Sequence, residues 1–183
     1  IFYLLNNDCD AFMGLPLATS VYPEWMTLTR SYLETTFSFV TSLQEPERLG
    51  DIPSGEVLAT RLGSAADGQL NSYLSTASGE KPWRRAPYPD FNTLLEKLLD
   101  GSVDTALVWE PALLSMSGGD LSEHGLKRID PDPLRLPGLS FGIALRSNDT
   151  FTRTMLDDAI QVLETEGTLA DLFDEFGPRM FES

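Results

Sequence analysis

Apolar positions alternate along this chain between two periods, and the alternation predicts its elements. Residues 1–7 read as the end of a helix, apolar at Ile1, Leu4 and Leu5. Asp10–Gly14 reads as a short buried strand ended by a glycine, and Thr19–Thr29 as a loop carrying Trp25. Thr35–Thr41 repeats every second residue and is rich in β-branched and aromatic side chains, the signature of a strand. Glu56–Thr60 predicts a second strand, followed by a helix through Tyr73 and Leu74 that Ser64 or Asp67 is placed to cap. Residues 78–90 hold Pro82, Pro87 and Pro89 and read as loop. Asp90 then caps a helix whose Leu94, Leu95, Leu98 and Leu99 share one face, and Gly101 stops it.

Thr105–Trp109 is an unbroken apolar run, as expected of a strand covered on both faces, and Pro111 sits at a natural helix start. Residues 117–138 are rich in loop formers, and Ser140–Leu145 is a further strand. Thr150 is placed to cap a long helix with Phe151, Met155, Leu156, Ala159, Ile160 and Leu163; Thr168 and Asp171 open a last one. Strands alternating with helices predict an α/β fold with mostly parallel sheets. The block 56–116 lies between two strands, 35–41 and 140–145, which suggests an inserted lobe with a two-strand hinge.

Charge narrows the range of functions. The net charge of −15 repels phosphate backbones and argues against nucleic-acid binding and against docking on anionic lipid. It suits a cationic partner, or simply solubility. No apolar run approaches the roughly 20 residues of a membrane span. The first residues, Ile1-Phe2-Tyr3, carry no methionine, so processing or cutting of the start is expected. Cys9 and His124 are the sole residues of their types, which excludes an internal disulfide framework and a Cys/His metal site; His124 lies in a Gly/Ser/Glu-rich loop, which argues against a cysteine–histidine catalytic pair. Asp157-Asp158 and Asp171 with Asp174-Glu175 fall on helix faces and read as solvated surface, and Gly118-Gly119 as a plain loop. No cofactor is implied.

Asp8-Cys9-Asp10-Ala11-Phe12-Met13-Gly14-Leu15-Pro16 resembles a stretch of the extracellular solute-binding proteins of family 3. Leu28-Thr29-Arg30-Ser31-Tyr32 is similar to a segment of their quinoprotein (methanol) dehydrogenase-associated branch. Leu99 to Pro111 resembles the motif of the second lobe, and Phe141–Arg146 with Glu175-Phe176-Gly177 resembles the tail. The resemblance implies a two-lobed, type II periplasmic-binding-protein fold with a ligand cleft between the lobes and a hinge of two crossover strands. Lobe 1 would comprise residues 1–42 and 140–183, without its N-terminal part, and lobe 2 residues 43–139. Cys9 would form a disulfide with an upstream cysteine in an oxidising periplasm, or else be a buried free thiol.

The same resemblance suggests cleft residues, each with a plainer alternative. Gly63-Ser64 replaces a Gly-Thr that holds a ligand carboxylate in relatives; Ser64 otherwise only caps its helix. Glu110 matches an acidic residue that takes an ammonium group, or faces solvent. Trp25, Tyr32 and Trp109 line the cleft or belong to the core. Residues 18–24 lack the arginine that clamps a carboxylate in amino-acid binders, which puts amino-acid capture in doubt; Arg30, later, braces the hinge or the cleft wall.

Three functions compete. The first is a periplasmic accessory protein that assists a pyrroloquinoline-quinone methanol or alcohol dehydrogenase, through its apo or partly folded form or its cytochrome. The second is the receptor of an ABC importer for a small polar solute. The third, an enzyme, lacks an acid/base constellation and is set aside.

Overall fold

The computed structural model describes residues 3, 5, 9–18, 22–76, 83–117, 120–136 and 138–176. The helix end predicted for residues 1–7 lies mostly outside them, as does the Gly118-Gly119 loop. The chain divides into two compact units, Ile1–Thr35 with Gly138–Ser183, and Thr36–Pro137.

The first unit is organised around one strand. Strands β1 (Phe12–Pro16), β2 (Met26–Leu28) and β3 (Leu33–Thr35) all pair antiparallel with β9 (Leu139–Arg146). β1 runs along one edge of β9, with its register shifted between Met13 and Leu15. β2 and β3 follow one another along the other edge, pairing with Ala144–Arg146 and Leu139–Phe141. The gap between them is bridged by hydrogen bonds rather than by a strand. Thr29 N–H donates to the Ile143 carbonyl (2.9 Å), its Oγ1 accepts the Ile143 N–H (2.9 Å), and Tyr32 N–H donates to the Phe141 carbonyl (3.0 Å). Gly142 sits at this crossing. A Cβ there would lie 2.8 Å from Leu17 Cδ2 and 3.1 Å from the Thr29 carbonyl oxygen, so the position tolerates no side chain without displacement.

Helices α4 (Thr150–Thr165) and α5 (Thr168–Phe176) complete this unit. The N-cap of α4 is Asp149, not the predicted Thr150: its carboxylate accepts the Thr152 N–H at 3.1 Å. A carboxylate caps better than a hydroxyl because it meets the positive helix end with a full charge. Of the apolar face predicted on α4, Ile160 is buried while Phe151 and Met155 are exposed.

The second unit holds a five-stranded sheet in the order β6-β5-β7-β4-β8. Its strands are β4 (Phe37–Thr41), β5 (Val57–Arg61), β6 (Arg84–Tyr88), β7 (Thr105–Trp109) and β8 (Lys127–Ile129). β5 pairs parallel with β6 and β7, whereas β4 is antiparallel to β7 and β8. Helix α1 (Ala65–Thr76) follows β5, α2 (Phe91–Leu99) follows β6, and α3 (Glu110–Ser117) follows β7. Ala59, Ala106 and Val108 pack against Leu94, Leu95 and Leu98 of α2 and Leu113 of α3. The neighbouring Thr60 points the other way and bonds Asp67 of α1. Adjacent strand residues face opposite sides, so α1 and α2 cover opposite faces of the sheet. β7 is buried at every position but Trp109, as its apolar run predicts.

Several expectations change. The sheets are mixed in one unit and antiparallel in the other, not mostly parallel. The predicted strand 35–41 is broken at Thr36: β3 ends in the first unit and β4 begins in the second, because β4 finds its partners in β7 and β8. The first compact unit runs to Thr35 and resumes at Gly138. β2, β6 and β8 fall in segments whose sequence predicts loop. β6 carries Arg84, Arg85 and Pro87, but it is an edge strand, where proline and charge are tolerated.

Gly142→Ala should cost about 1–3 kcal/mol through overpacking against Leu17 and Thr29. Urea denaturation of the variant checks this.

Candidate functional site

The order β6-β5-β7 places the carboxyl ends of three adjacent parallel strands on one edge of the second unit. In open α/β sheets ligands bind at this edge, where the loops lead into helix N-termini. Here the edge is formed by Arg61-Leu62-Gly63-Ser64 after β5, Tyr88-Pro89-Asp90 after β6 and Trp109-Glu110 after β7. Leu62 N–H donates to the Tyr88 carbonyl at 2.7 Å and ties two of these loops together. Gly63 turns the chain with φ of 73°, a left-handed conformation that disfavours side chains. The Trp109 ring stacks on Phe91, with centroids 6.3 Å apart.

Each of the three helix starts carries an acid that is already engaged. At α1, Ser64 Oγ accepts the Asp67 N–H (3.1 Å), so Ser64 caps the helix. Asp67 in turn is 6% exposed and receives four donors: Arg85 Nε (2.6 Å) and Nη2 (2.7 Å), Thr60 Oγ1 (2.5 Å) and the Gly63 N–H (3.0 Å). The Arg85 guanidinium, helped by Thr60 and Gly63, holds the Asp67 carboxyl down at about 2 against the opposing effect of burial. At α2, Asp90 accepts the Thr93 N–H (2.8 Å) and hydroxyl (3.1 Å), which lower its pKa; Arg61 adds a smaller through-space contribution. At α3, Glu110 is 5% exposed and paired bidentately with Arg128, with Nε and Nη2 each at 3.0 Å. The Ser38 hydroxyl donates to the same carboxylate.

The residues expected to line a cleft therefore divide between the units. Ser64, Trp109 and Glu110 lie on the strand edge of the second unit. Glu110 does not face solvent, as its plainer reading had it: it is buried beneath Arg128. Trp25, Arg30 and Tyr32 belong to the first unit. Trp25 packs against the cluster of Leu5, Leu15, Met26 and Ala144, so it is part of that core. Arg30 is spent on α4: its N–H donates to Asp157 (2.6 Å) and its Nη2 to Glu164 (2.9 Å). Tyr32 is half-buried and holds β9 through its backbone. Cys9 is exposed, so its sulfur is not a buried one. Among the described residues no group of His, Cys, Asp and Glu could hold a metal ion, and no helix is long and apolar enough to cross a membrane.

Sequence reasoning missed Arg85 and Arg128, since both lie in segments read as loop. The signal was indirect: an acid in the first turn of a helix that is otherwise buried requires a basic partner.

The fold as a whole has counterparts among solved structures. The second substrate binding domain of a protein described as an amino acid ABC transporter from Streptococcus pneumoniae superposes with a TM-score of 0.74 at 17% identity, covering 96% of this chain and 76% of that one. The fold is that of the two-domain substrate-binding proteins. The GlnP substrate binding domain 2 of Lactococcus lactis, in its open conformation, gives a TM-score of 0.73 at 16% identity over 96% of this chain and 72% of that one. An arginine transport-system periplasmic binding protein of Legionella pneumophila gives 0.63 at 17% identity over 96% and 76%. No protein-family model matches the chain, and no curated protein does.

Asp67 is ionised well below the ordinary carboxylate value of 3.8, so its contribution to stability is complete above about pH 4 and is lost as pH falls towards 2. That contribution is on the order of 2–3 kcal/mol. Asp67→Asn should remove it, leaving acid titrations of stability flatter between pH 4 and 2 than in the parent protein.

Proposed function

We propose that this chain belongs to a receptor that binds a small polar solute and hands it to a transporter, working outside the cytoplasm. The observation that carries the reading is the fold, shared along almost the whole chain with substrate-binding proteins of amino-acid transport systems. The Legionella relative is described as periplasmic, which supports an extracytoplasmic setting for this chain. These neighbours are transport receptors, and they support this reading better than assistance to a pyrroloquinoline-quinone methanol dehydrogenase or its cytochrome.

The solute contact we assign to the second unit is the strand edge bearing Arg61, Ser64, Tyr88 and Trp109. Arg61 offers a planar fork of donors suited to a carboxylate or another polar oxygen group. Trp109 and Tyr88 offer apolar walls. Binding rather than catalysis is favoured by the state of the acids. Asp67 and Glu110 are each held bidentately by an arginine, and a carboxylate so fixed is a poor proton carrier.

A panel of amino acids, dicarboxylates and sugars, screened by thermal unfolding, tests the proposal. A bound solute at 100 times its dissociation constant should add about 2.7 kcal/mol of stability. Arg61→Ala should then weaken the interaction about tenfold or more, equivalent to about 1.4 kcal/mol. If no member of the panel shifts the transition or gives heat on titration, the receptor reading is lost.

A further inference from the structure

Glu110, like Asp67, is a buried acid at the strand edge, and what neutralises it comes from outside that edge. Arg128 lies on β8, the border strand of the sheet, separated from β7 by β4. Its side chain is 39% exposed while that of Glu110 is 5% exposed, so the guanidinium covers the carboxylate from the solvent side. Both carboxylate oxygens are engaged by its fork, and Ser38 supplies a further donor. β8 itself is pinned beside this contact, with Lys127 Nζ donating to the Gln44 carbonyl (2.7 Å) and to Glu47 (2.9 Å).

A buried carboxylate without this partner would be a strong attractor for any cation that could reach it. The covering guanidinium itself meets solvent, at 39% exposure. We propose that Arg128 is a built-in counter-ion that occupies the seat a solute's ammonium or guanidinium group would take on Glu110, and so sets the specificity of this edge against cationic solutes. The remaining donors of the edge, chiefly Arg61, then suit a neutral or anionic polar group. This inference rests on the receptor reading for its biological meaning, but its physical content is separable from it.

The test uses methylguanidinium chloride as the probe, with sodium chloride as the ionic-strength control. Arg128→Ala should bind methylguanidinium at least tenfold more tightly than the parent protein by isothermal titration, with a rise in its unfolding temperature that sodium chloride does not give. The double variant Arg128→Ala/Glu110→Gln should lose the gain. A carboxylate closed to solutes predicts a lower unfolding temperature for Arg128→Ala and no gain in cation affinity, and that result would overturn the proposal. So would equal binding of the probe by the parent protein. Arg128→Gln retains much of the side-chain stem and takes the place of Arg128→Ala should the latter not unfold cooperatively; if neither folds, Arg128 is a structural residue and the specificity role is rejected. Failure of every solute in the wider panel with success of methylguanidinium here would reject the receptor reading alone.

Discussion

Parallel strands cannot be joined by a tight turn, and the second unit follows from that constraint. β5 pairs parallel with both β6 and β7, so the chain must return across the sheet after each strand, and it does so through helices α1 and α2. The helix starts then gather on one edge together with that of α3. A helix N-terminus leaves backbone N–H groups without partners and carries a partial positive charge. Asp67, Asp90 and Glu110 sit at these three starts. Two of the three acids are buried, and buried charges require partners, which is what brings Arg85 and Arg128 into the structure. The chemistry of the edge is thus a consequence of strand direction.

The first unit solves a different problem. One strand, β9, serves β1 on one side and β2 with β3 on the other. The close approach of Leu17 and Thr29 over Gly142 is what allows the two short strands to follow one another along a single edge. Thr29 lends both its backbone and its hydroxyl to β9 at that junction, and the next residue, Arg30, turns outward to hold α4. Arg30 therefore acts on the packing of the helix over the sheet. The outer face of α4 keeps Phe151 and Met155 exposed, so the helix is held by ion pairs and Ile160 more than by its full apolar face.

These arrangements bear on what the strand edge can recognise. Its acids are satisfied within the protein, while Arg61 and the aromatic groups stand at its rim. On the receptor reading proposed above, such an edge would recognise a solute through donors and apolar walls rather than through a free carboxylate. The known binding proteins that share the fold are described as handling amino acids or arginine, and at 16–17% identity the fold is shared while the chemistry of the edge is free to differ.

The sequence by itself determined the α/β class, the buried strand at Thr105–Trp109, the Asp90-capped helix and the position of the strand at residues 139–146. Each of these depends on local signals: an apolar run, a cap three residues before the N–H that donates to it, or a glycine stop. Strand direction, the break at Thr36 and the edge strands β6 and β8 were decided by tertiary pairing, because Arg84-Arg85-Ala86-Pro87 and Lys127-Arg128-Ile129 have no apolar period of their own. Ser64 and Glu110 were legible as candidates from their places beside predicted elements. That Glu110 is covered by Arg128, and Asp67 by Arg85, was not, since each pair joins residues 18 positions apart on different strands and helices. Charge in a sequence has no direction; only the folded sheet fixes which arginine reaches which acid, and a buried acid is tolerated only where one does.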